Sequence, residues 1–171
     1  WCPAEPGVRP AVATSRRQRV GVMATDATLR SERFKALVAR EAGTCSMHLL
    51  ACTGLAAAIE QRELDDPVLL DLVHRYASQL RDAGVDVIAL GCTHYAFVRE
   101  VIERSLEPGM TVIDTADAVA AQVARLWPSG SNVESKPHRR LETSGDPRRL
   151  GQFASRWLGF DADVLLTPLS V

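Results

Sequence analysis

The sequence predicts an α/β protein: a doubly wound, mainly four-stranded parallel sheet flanked by helices, plus a C-terminal helix/strand tail. Four short apolar runs alternate with segments whose apolar residues recur at helical spacing. Strands that read as continuous apolar runs are typical of a parallel sheet covered on both faces. The length of 171 residues allows one domain of ~100–150 residues and additional segments.

The first half of the chain predicts two β–α units. The apolar run 19–23 is a strand, and the helical spacing of residues 27–41 follows it. The run 47–52 is a second strand, and good helix formers follow over residues 55–62. Each strand therefore leads directly into a helix, as a parallel sheet requires.

A long helix comes next, and the same alternation then continues. Asp66 is an acidic N-cap and Pro67 suits a first helical position, so a helix is predicted from there to Arg81, closed by Gly84. The remaining elements of the sheet domain are strand 85–90, helix 97–106, strand 110–114 and helix 116–126.

Composition divides the chain into four parts. Residues 1–16 begin with a run that is rich in small and helix-breaking residues and lacks apolar periodicity, so they read as the inside of a longer chain. A resemblance of the Glu5–Ala11 block to a known family implies that residues 1–16 are an inter-domain segment. Residues 17–127 form the α/β domain, and 128–138 read as a linker. The tail, 139–171, predicts strand 141–143, helix 148–158 and strand 162–166. Because this tail is too small to bury a core, we expect it to pack on another domain.

Charge and cysteine content narrow the function classes. A net charge of −1 with scattered basic residues predicts no nucleic-acid partner. No run approaches the ~18 apolar residues of a membrane span, and no signal peptide is apparent, so a cytoplasmic protein without a membrane partner is expected. The four cysteines lack paired C-x-x-C spacing, which argues against a metal site and against a disulfide framework.

Candidate functional side chains follow the predicted strands. In open parallel sheets, ligands bind at the carboxyl ends of strands, where loops and helix N-termini meet. The polar and thiol side chains at these ends are Thr25, Asp26, Thr28, Cys52, Thr53, Cys92, Thr93, His94, Asp114 and Thr115. Backbone N–H groups and threonine hydroxyls are hydrogen-bond donors, so this edge suits an anionic small molecule.

Cys92 has a partner in its own loop, since His94 lies two residues later. A free thiol titrates near ~8.5, and an adjacent imidazolium or helix N-terminus increases the thiolate fraction. Such a thiolate can act as a nucleophile or as a general base. The alternative is an inert cysteine at a buried strand end. Glu60 is a candidate to reach His94 and select its tautomer, or else a solvated charge at a helix end.

Several sequence blocks together resemble one family. In order they are Glu5-Pro6-Gly7-Val8-Arg9-Pro10-Ala11, Val20-Gly21-Val22-Met23-Ala24-Thr25 with Thr28, Ala51-Cys52 through Glu60, Leu64-Asp65-Asp66-Pro67, Ala83-Gly84-Val85-Asp86, Leu90-Gly91-Cys92-Thr93-His94-Tyr95, Ile113-Asp114 and Thr143-Ser144-Gly145-Asp146-Pro147. The chain is similar to the C-terminal part of the bacterial glutamate racemases of the aspartate/glutamate racemase family. The Gly-Cys-Thr-His-Tyr block after Ala-Gly-Val-Asp is the most specific of these matches.

The resemblance implies an amino-acid racemase that interconverts L- and D-glutamate for peptidoglycan without cofactor or metal. In that family two cysteines face opposite sides of the substrate Cα, since inversion needs a base and an acid on opposite faces. By position, Cys92 is one of these cysteines, His94 assists it and Glu60 supports His94. Thr93, Thr25 and Thr28 correspond to substrate-binding positions.

The match also has departures. The family's N-terminal racemase domain, with its Asp-Ser-Gly start and Cys-Asn-Thr-Ala motif, has no counterpart in these residues. The isolated chain is therefore expected to be inactive, with the missing domain as its partner. Thr53 and Ala96 stand where the family usually has proline. Without that domain, we expect Phe153, Trp157 and Leu158 to be exposed and to favour self-association, including a homodimer.

Two other functions remain open on the sequence. Cys92 alone could support a one-sided reaction, such as decarboxylation or isomerisation of a small diacid. The chain could instead be a catalytically inactive remnant that serves as a binding module.

Overall fold

The computed structural model describes residues 5–127 and 140–168. The chain divides into two compact units between Trp127 and Pro128. The predicted linker 128–138 lies outside the described residues.

The first unit contains a four-stranded sheet in which every neighbouring pair of strands is parallel. Its strands are β1 (Arg19–Ala24), β2 (Ser46–Ala51), β3 (Val87–Leu90) and β4 (Thr111–Ile113). Their order across the sheet is β2-β1-β3-β4. The predicted fold class, a doubly wound parallel α/β sheet, is confirmed.

Helices connect and flank these strands. They are α1 (Glu5–Thr14), α2 (Asp26–Arg30), α3 (Glu32–Glu41), α4 (Leu55–Gln61), α5 (Pro67–Asp82), α6 (Arg99–Arg104) and α7 (Ala116–Leu126). A 3-10 helix, Thr93–Val98, leads into α6. The N-cap expected of Asp66 is present, because its carboxylate accepts from the N–H groups of Val68 and Leu69.

Helix α1 is the main difference from the sequence prediction, which treated residues 1–16 as an irregular inter-domain segment. Val8 and Ala11, one helical turn apart, are fully buried in a core that also contains Val20 and Val87. Pro10 lies inside this helix, so local propensity opposes it, and burial of its apolar side chains against the sheet outweighs that cost.

The single helix predicted over 27–41 is wrong, because Ser31 divides it into α2 and α3. Ser31 has an extended backbone conformation, ends α2 and begins α3. Its hydroxyl donates to the Thr28 carbonyl at 2.9 Å and accepts from the N–H of Phe34 at 3.2 Å. The helix predicted over 97–106 also has different bounds in the structure. It begins earlier, as the 3-10 helix, and only Arg99–Arg104 is α-helical.

The second unit has a two-stranded parallel sheet and one interrupted helix. Strands β5 (Leu141–Thr143) and β6 (Val164–Leu166) pair, and α8 (Pro147–Phe153) continues as a π-helical turn, Ala154–Leu158. Leu158 is 50% exposed, as expected. The expected exposure of Phe153 and Trp157 is wrong, because both are half-buried and their rings lie 6.4 Å apart.

Candidate active site

The sheet topology marks the carboxyl ends of β1 and β3 as the expected ligand-binding position. Strand β2 lies on one side of β1, and β3 lies on the other. The direction in which the chain adds strands therefore reverses between β1 and β3, and open α/β sheets bind ligands at such a point. Gly91 lies at this point, and its N–H donates to the Met23 carbonyl at 2.7 Å. A Cβ at position 91 would lie 3.2 Å from that oxygen and 3.1 Å from the Ala24 Cβ, so glycine allows the two loops to approach closely.

Three of the predicted site residues meet directly after Gly91. Cys92 immediately precedes the 3-10 helix, and its Sγ lies 3.9 Å from Nδ1 of His94. The other ring nitrogen, Nε2, lies 2.8 Å from Oε1 of Glu60, in the last turn of α4. Cys92 and His94 are half-buried, whereas Glu60 is exposed. The structure thus joins Cys92, His94 and Glu60 in one hydrogen-bonded row, here called the thiol–imidazole–carboxylate row.

The carboxylate determines how the imidazole can interact with the thiol. An ionised carboxylate only accepts hydrogen bonds, so Nε2 of His94 carries a proton. Nδ1 of the neutral ring is then an acceptor for the Cys92 thiol proton, and after transfer an N–H donor to the thiolate. The row can therefore hold Cys92 either as a thiol or as a thiolate beside an imidazolium.

Hydrogen bonding favours the protonated imidazole. The bond with Cys92 raises the pKa of His94 most, burial opposes it, and the bond with Glu60 raises the pKa further. The net result is a pKa above the ordinary value for histidine. The row thus stabilises an imidazolium next to the Cys92 sulfur, as a thiol that exchanges a proton requires.

Threonine hydroxyls occupy the neighbouring strand end. Thr25 is the N-cap of α2, and its Oγ1 lies 3.0 Å from Oγ1 of Thr28 and accepts from the N–H of that residue. Both side chains are half-buried, whereas Thr93 is exposed. Because β1 and β3 are adjacent and parallel, these three threonines share the sheet edge that carries Cys92.

Cys52 also lies at this edge, but its thiol is buried and has a raised pKa. It is 2% exposed, and its thiol donates to the Leu50 carbonyl. Burial raises its pKa to about 12 despite a lowering hydrogen bond with the backbone of Ala24. Cys52 therefore stays protonated near neutral pH.

Two further strand-end candidates, Asp114 and Thr115, follow β4. Asp114, after β4, pairs with Arg99 at 2.7 Å and accepts from the N–H of Ala116. Thr115 is 7% exposed. Within residues 5–127 and 140–168, no group of three or more His, Cys, Asp or Glu side chains is arranged to hold a metal ion.

Sequence reasoning did not single out two tyrosines beside this site. Tyr95 follows His94, and its hydroxyl donates to the Cys52 carbonyl at 3.3 Å. Tyr76, in α5, donates to the Thr53 carbonyl at 2.7 Å. The sequence carries little sign of these contacts, because each joins residues more than 20 positions apart.

Comparison with known proteins identifies the family of this chain. The family model described as Asp/Glu/Hydantoin racemase matches residues 4–123. The chain belongs to this racemase family. The resemblance that the motifs indicated is therefore confirmed.

Similar proteins within this family are glutamate racemases. That of Herpetosiphon aurantiacus is 43% identical over 146 residues, which are 84% of this chain and 58% of that protein. A solved structure of the Bacillus anthracis enzyme has a TM-score of 0.79 at 25% identity, with 98% of this chain and 63% of that chain covered. For the Thermus thermophilus enzyme, solved with beta-chloro-D-alanine, the TM-score is 0.72 at 30% identity, with 98% and 61% covered. This chain thus spans about three-fifths of the length of these relatives.

No helix in the described part of the chain has the length and apolar character needed to cross a membrane.

Proposed function

We propose that this chain supplies one of the two acid–base thiols of a cofactor-independent glutamate racemase. The thiol–imidazole–carboxylate row carries the proposal, because it equips a cysteine at the ligand-binding edge of a racemase-family fold to exchange protons. The same chemistry would supply D-glutamate for peptidoglycan in the cytoplasm.

The proposed reaction begins with transfer of the Cys92 thiol proton to Nδ1 of His94. The thiolate then removes the α-hydrogen of glutamate as a proton: the Cα–H bond breaks, an S–H bond forms, and the electron pair spreads into the substrate carboxylate. A second thiol delivers a proton to the opposite face of Cα. In the reverse direction Cys92 is the donor, and His94 returns its proton to the sulfur.

Hydrogen-bond donors at the sheet edge would hold the substrate. Thr25, Thr28 and Thr93 can donate to carboxylate oxygens of glutamate, and the hydroxyls of Thr25 and Thr28 already lie within 3.0 Å of each other. The relatives that match this chain at about 40% identity are glutamate racemases, which supports glutamate as the substrate.

The opposite-face thiol is not Cys52, because its side chain is buried and its raised pKa disfavours the thiolate that the reverse direction requires. We infer that it belongs to a domain equivalent to the part of the relatives that this chain does not match. That domain is the proposed partner of the site described here.

The test uses the protein translated from the complete reading frame, compared with its Cys92→Ser variant. Interconversion of L- and D-glutamate is followed by chiral chromatography, and α-hydrogen exchange by NMR in deuterated buffer. Loss of a positioned acid–base group predicts a fall of roughly 10²–10⁴-fold in the interconversion rate and in the α-hydrogen exchange of the enantiomer that Cys92 deprotonates. Cys45→Ser, at a half-buried cysteine elsewhere in the unit, is the matched control and should leave both rates unchanged.

Inversion that persists in Cys92→Ser within about tenfold of the parent rate would overturn the proposal. So would Cys92-dependent exchange without inversion, which would instead support a one-sided reaction at this thiol.

A further inference from the structure

The turn between β2 and α4 determines where Glu60 lies. Gly54 begins α4 with a left-handed backbone, φ 82°, and the helix is only seven residues long. Leu55 and Ile59 are fully buried beneath it. Because Glu60 follows so closely, a displacement of residues 52–54 would move its carboxylate relative to His94.

Two phenols hold this turn from different elements. The Tyr95 hydroxyl donates to the Cys52 carbonyl, and the Tyr76 hydroxyl donates to the adjacent carbonyl, that of Thr53. Tyr95 is fully buried and Tyr76 is 5% exposed. Burial raises the pKa of Tyr95, so its phenol stays protonated and able to donate.

The same turn also makes hydrogen bonds to β1 and to α2, and the Tyr76 phenol is itself held within α5. The Cys52 N–H donates to the Ala24 carbonyl, and the Thr53 hydroxyl donates to Asp26 at 2.7 Å. The Arg75 guanidinium lies 5.0 Å from the centroid of the Tyr76 ring and donates to its hydroxyl at 3.3 Å. The phenol of Tyr76 therefore has one defined orientation, directed at the turn.

Tyr95 gives this arrangement a direct relation to the acid–base site. It is the residue after His94, and both belong to the 3-10 helix against which α4 packs. Its hydrogen bond to Cys52 thus links the loop that carries the imidazole to the turn that starts the helix carrying the carboxylate. The Tyr95–Cys52 hydrogen bond therefore holds together the two segments whose side chains, His94 and Glu60, meet at 2.8 Å.

We propose that the phenols of Tyr76 and Tyr95, here called the tyrosine brace, hold the 52–54 turn so that α4 presents Glu60 to His94. Both tyrosines are then positioning residues. This inference rests on the proposed function, because the row that they position is the proposed proton-transfer site.

The test compares Tyr76→Phe, Tyr95→Phe and the double variant, each removing only the hydroxyl. NMR follows the titration of the His94 ring, and mass spectrometry follows the rate at which iodoacetamide alkylates the Cys92 peptide. Glu60→Gln calibrates complete loss of the carboxylate. Ser105→Ala is the matched control, since the Ser105 hydroxyl also donates to a backbone carbonyl, that of Val101, in the same unit.

In the double variant, the pKa of His94 should move in the same direction as in Glu60→Gln, and alkylation of Cys92 at neutral pH should slow. The single variants should show part of each change, and they keep the test decisive if the double variant does not fold. Ser105→Ala should leave both readings unchanged. In the active protein, kcat should fall by roughly tenfold to a hundredfold with KM within about twofold, as for a misplaced acid–base group.

A folded double variant with the parent's His94 titration would overturn the brace if Glu60→Gln shifts that titration. If Glu60→Gln itself leaves His94 unchanged, the brace is overturned together with the proposed role of Glu60. Loss of racemase activity after Cys92→Ser tests the proposed function separately. Failure of the brace and failure of the proposed function can therefore be distinguished.

Discussion

At the scale of single residues, each ring nitrogen of His94 has a neighbour of different chemistry. Nδ1 faces the sulfur of Cys92, and Nε2 faces the carboxylate of Glu60. Protonating the ring turns both contacts into interactions between a cation and an acceptor, which explains why the pKa of His94 is raised despite partial burial. The thiol and the carboxylate therefore act on the same proton equilibrium.

Replacing Glu60 by glutamine should lower the pKa of His94, because the amide oxygen can still accept from Nε2 but carries no charge. A histidine whose pKa is raised by folding stabilises the native state fully below its unfolded value of about 6.5, and this contribution is lost as pH rises through the folded pKa. The stability difference between parent and variant should therefore be larger at pH about 6 than at about 9. Chemical denaturation at the two pH values measures it.

Glu32→Gln is the control for this experiment, since it removes the same charge from an exposed pair with Lys35. If Glu60→Gln and Glu32→Gln show the same pH dependence of stability, the Glu60 carboxylate does not raise the pKa of His94.

Among the elements, α2 and α3 show how one side chain can end a helix and begin another. The Ser31 hydroxyl both donates to the end of α2 and accepts from the start of α3. Phe34, whose N–H it caps, is fully buried in the core. This local interaction also orients α2, which carries the hydroxyl of Thr28 at the candidate site.

Ser31→Ala should destabilise the protein by about 1 kcal/mol, the usual cost of losing an N-cap hydroxyl. Thermal and urea unfolding would measure the loss. Ser46→Ala removes the same atoms from an exposed position at the start of β2 and should change stability by less than about 0.5 kcal/mol. Equal losses in the two variants would show that Ser31 does not act as a cap.

Element prediction succeeded where one local pattern dominated. The four apolar runs became the four parallel strands, and the Asp66-Pro67 signal marked the start of α5 correctly. It failed at Ser31, where the apolar spacing continues across a residue whose hydroxyl satisfies the backbone on both sides. It failed also at α1, where Pro10 obscured a helix that is stabilised by burial of Val8 and Ala11.

At the scale of the whole first unit, Asp86 connects α1 to the end of the sheet opposite the candidate site. It is 8% exposed and accepts from the Ser15 hydroxyl and from the N–H groups of Arg16 and Arg17 at 2.6–2.8 Å. Burial alone would raise its pKa, but these hydrogen bonds outweigh that effect and lower it. Asp86 is therefore a charged anchor between the α1–β1 connection and the start of β3.

Asp86→Asn should lower the stability of the unit by about 2 kcal/mol at neutral pH, because the charge is lost and the amide nitrogen cannot accept the bonds made by the oxygen that it replaces. A carboxyl group whose pKa is lowered by folding contributes fully above its unfolded value of about 3.9. The contribution disappears as pH falls through the folded pKa, so the difference between parent and variant should shrink below pH about 4. Urea titrations across this range measure the difference.

Asp82→Asn is the control, since the Asp82 side chain is 68% exposed and forms a salt bridge with its sequence neighbour Arg81. If the stability difference between the parent and Asp86→Asn stays constant down to acid pH, the charge of Asp86 does not stabilise the unit as proposed.

The sequence by itself determined the fold class, the succession of strands and the position of Cys92 and His94 in one strand-end loop. These features depend on periodicity and on residues two positions apart, so a linear pattern records them. For Glu60, 34 residues from His94, the sequence left two alternatives, and the tertiary structure decided for contact with the imidazole. Tertiary structure alone showed that two tyrosine hydroxyls donate to the turn before α4 and that α1 joins the core. Such contacts depend on how helices pack on the sheet and where buried hydroxyls meet backbone carbonyls, and no local spacing encodes either.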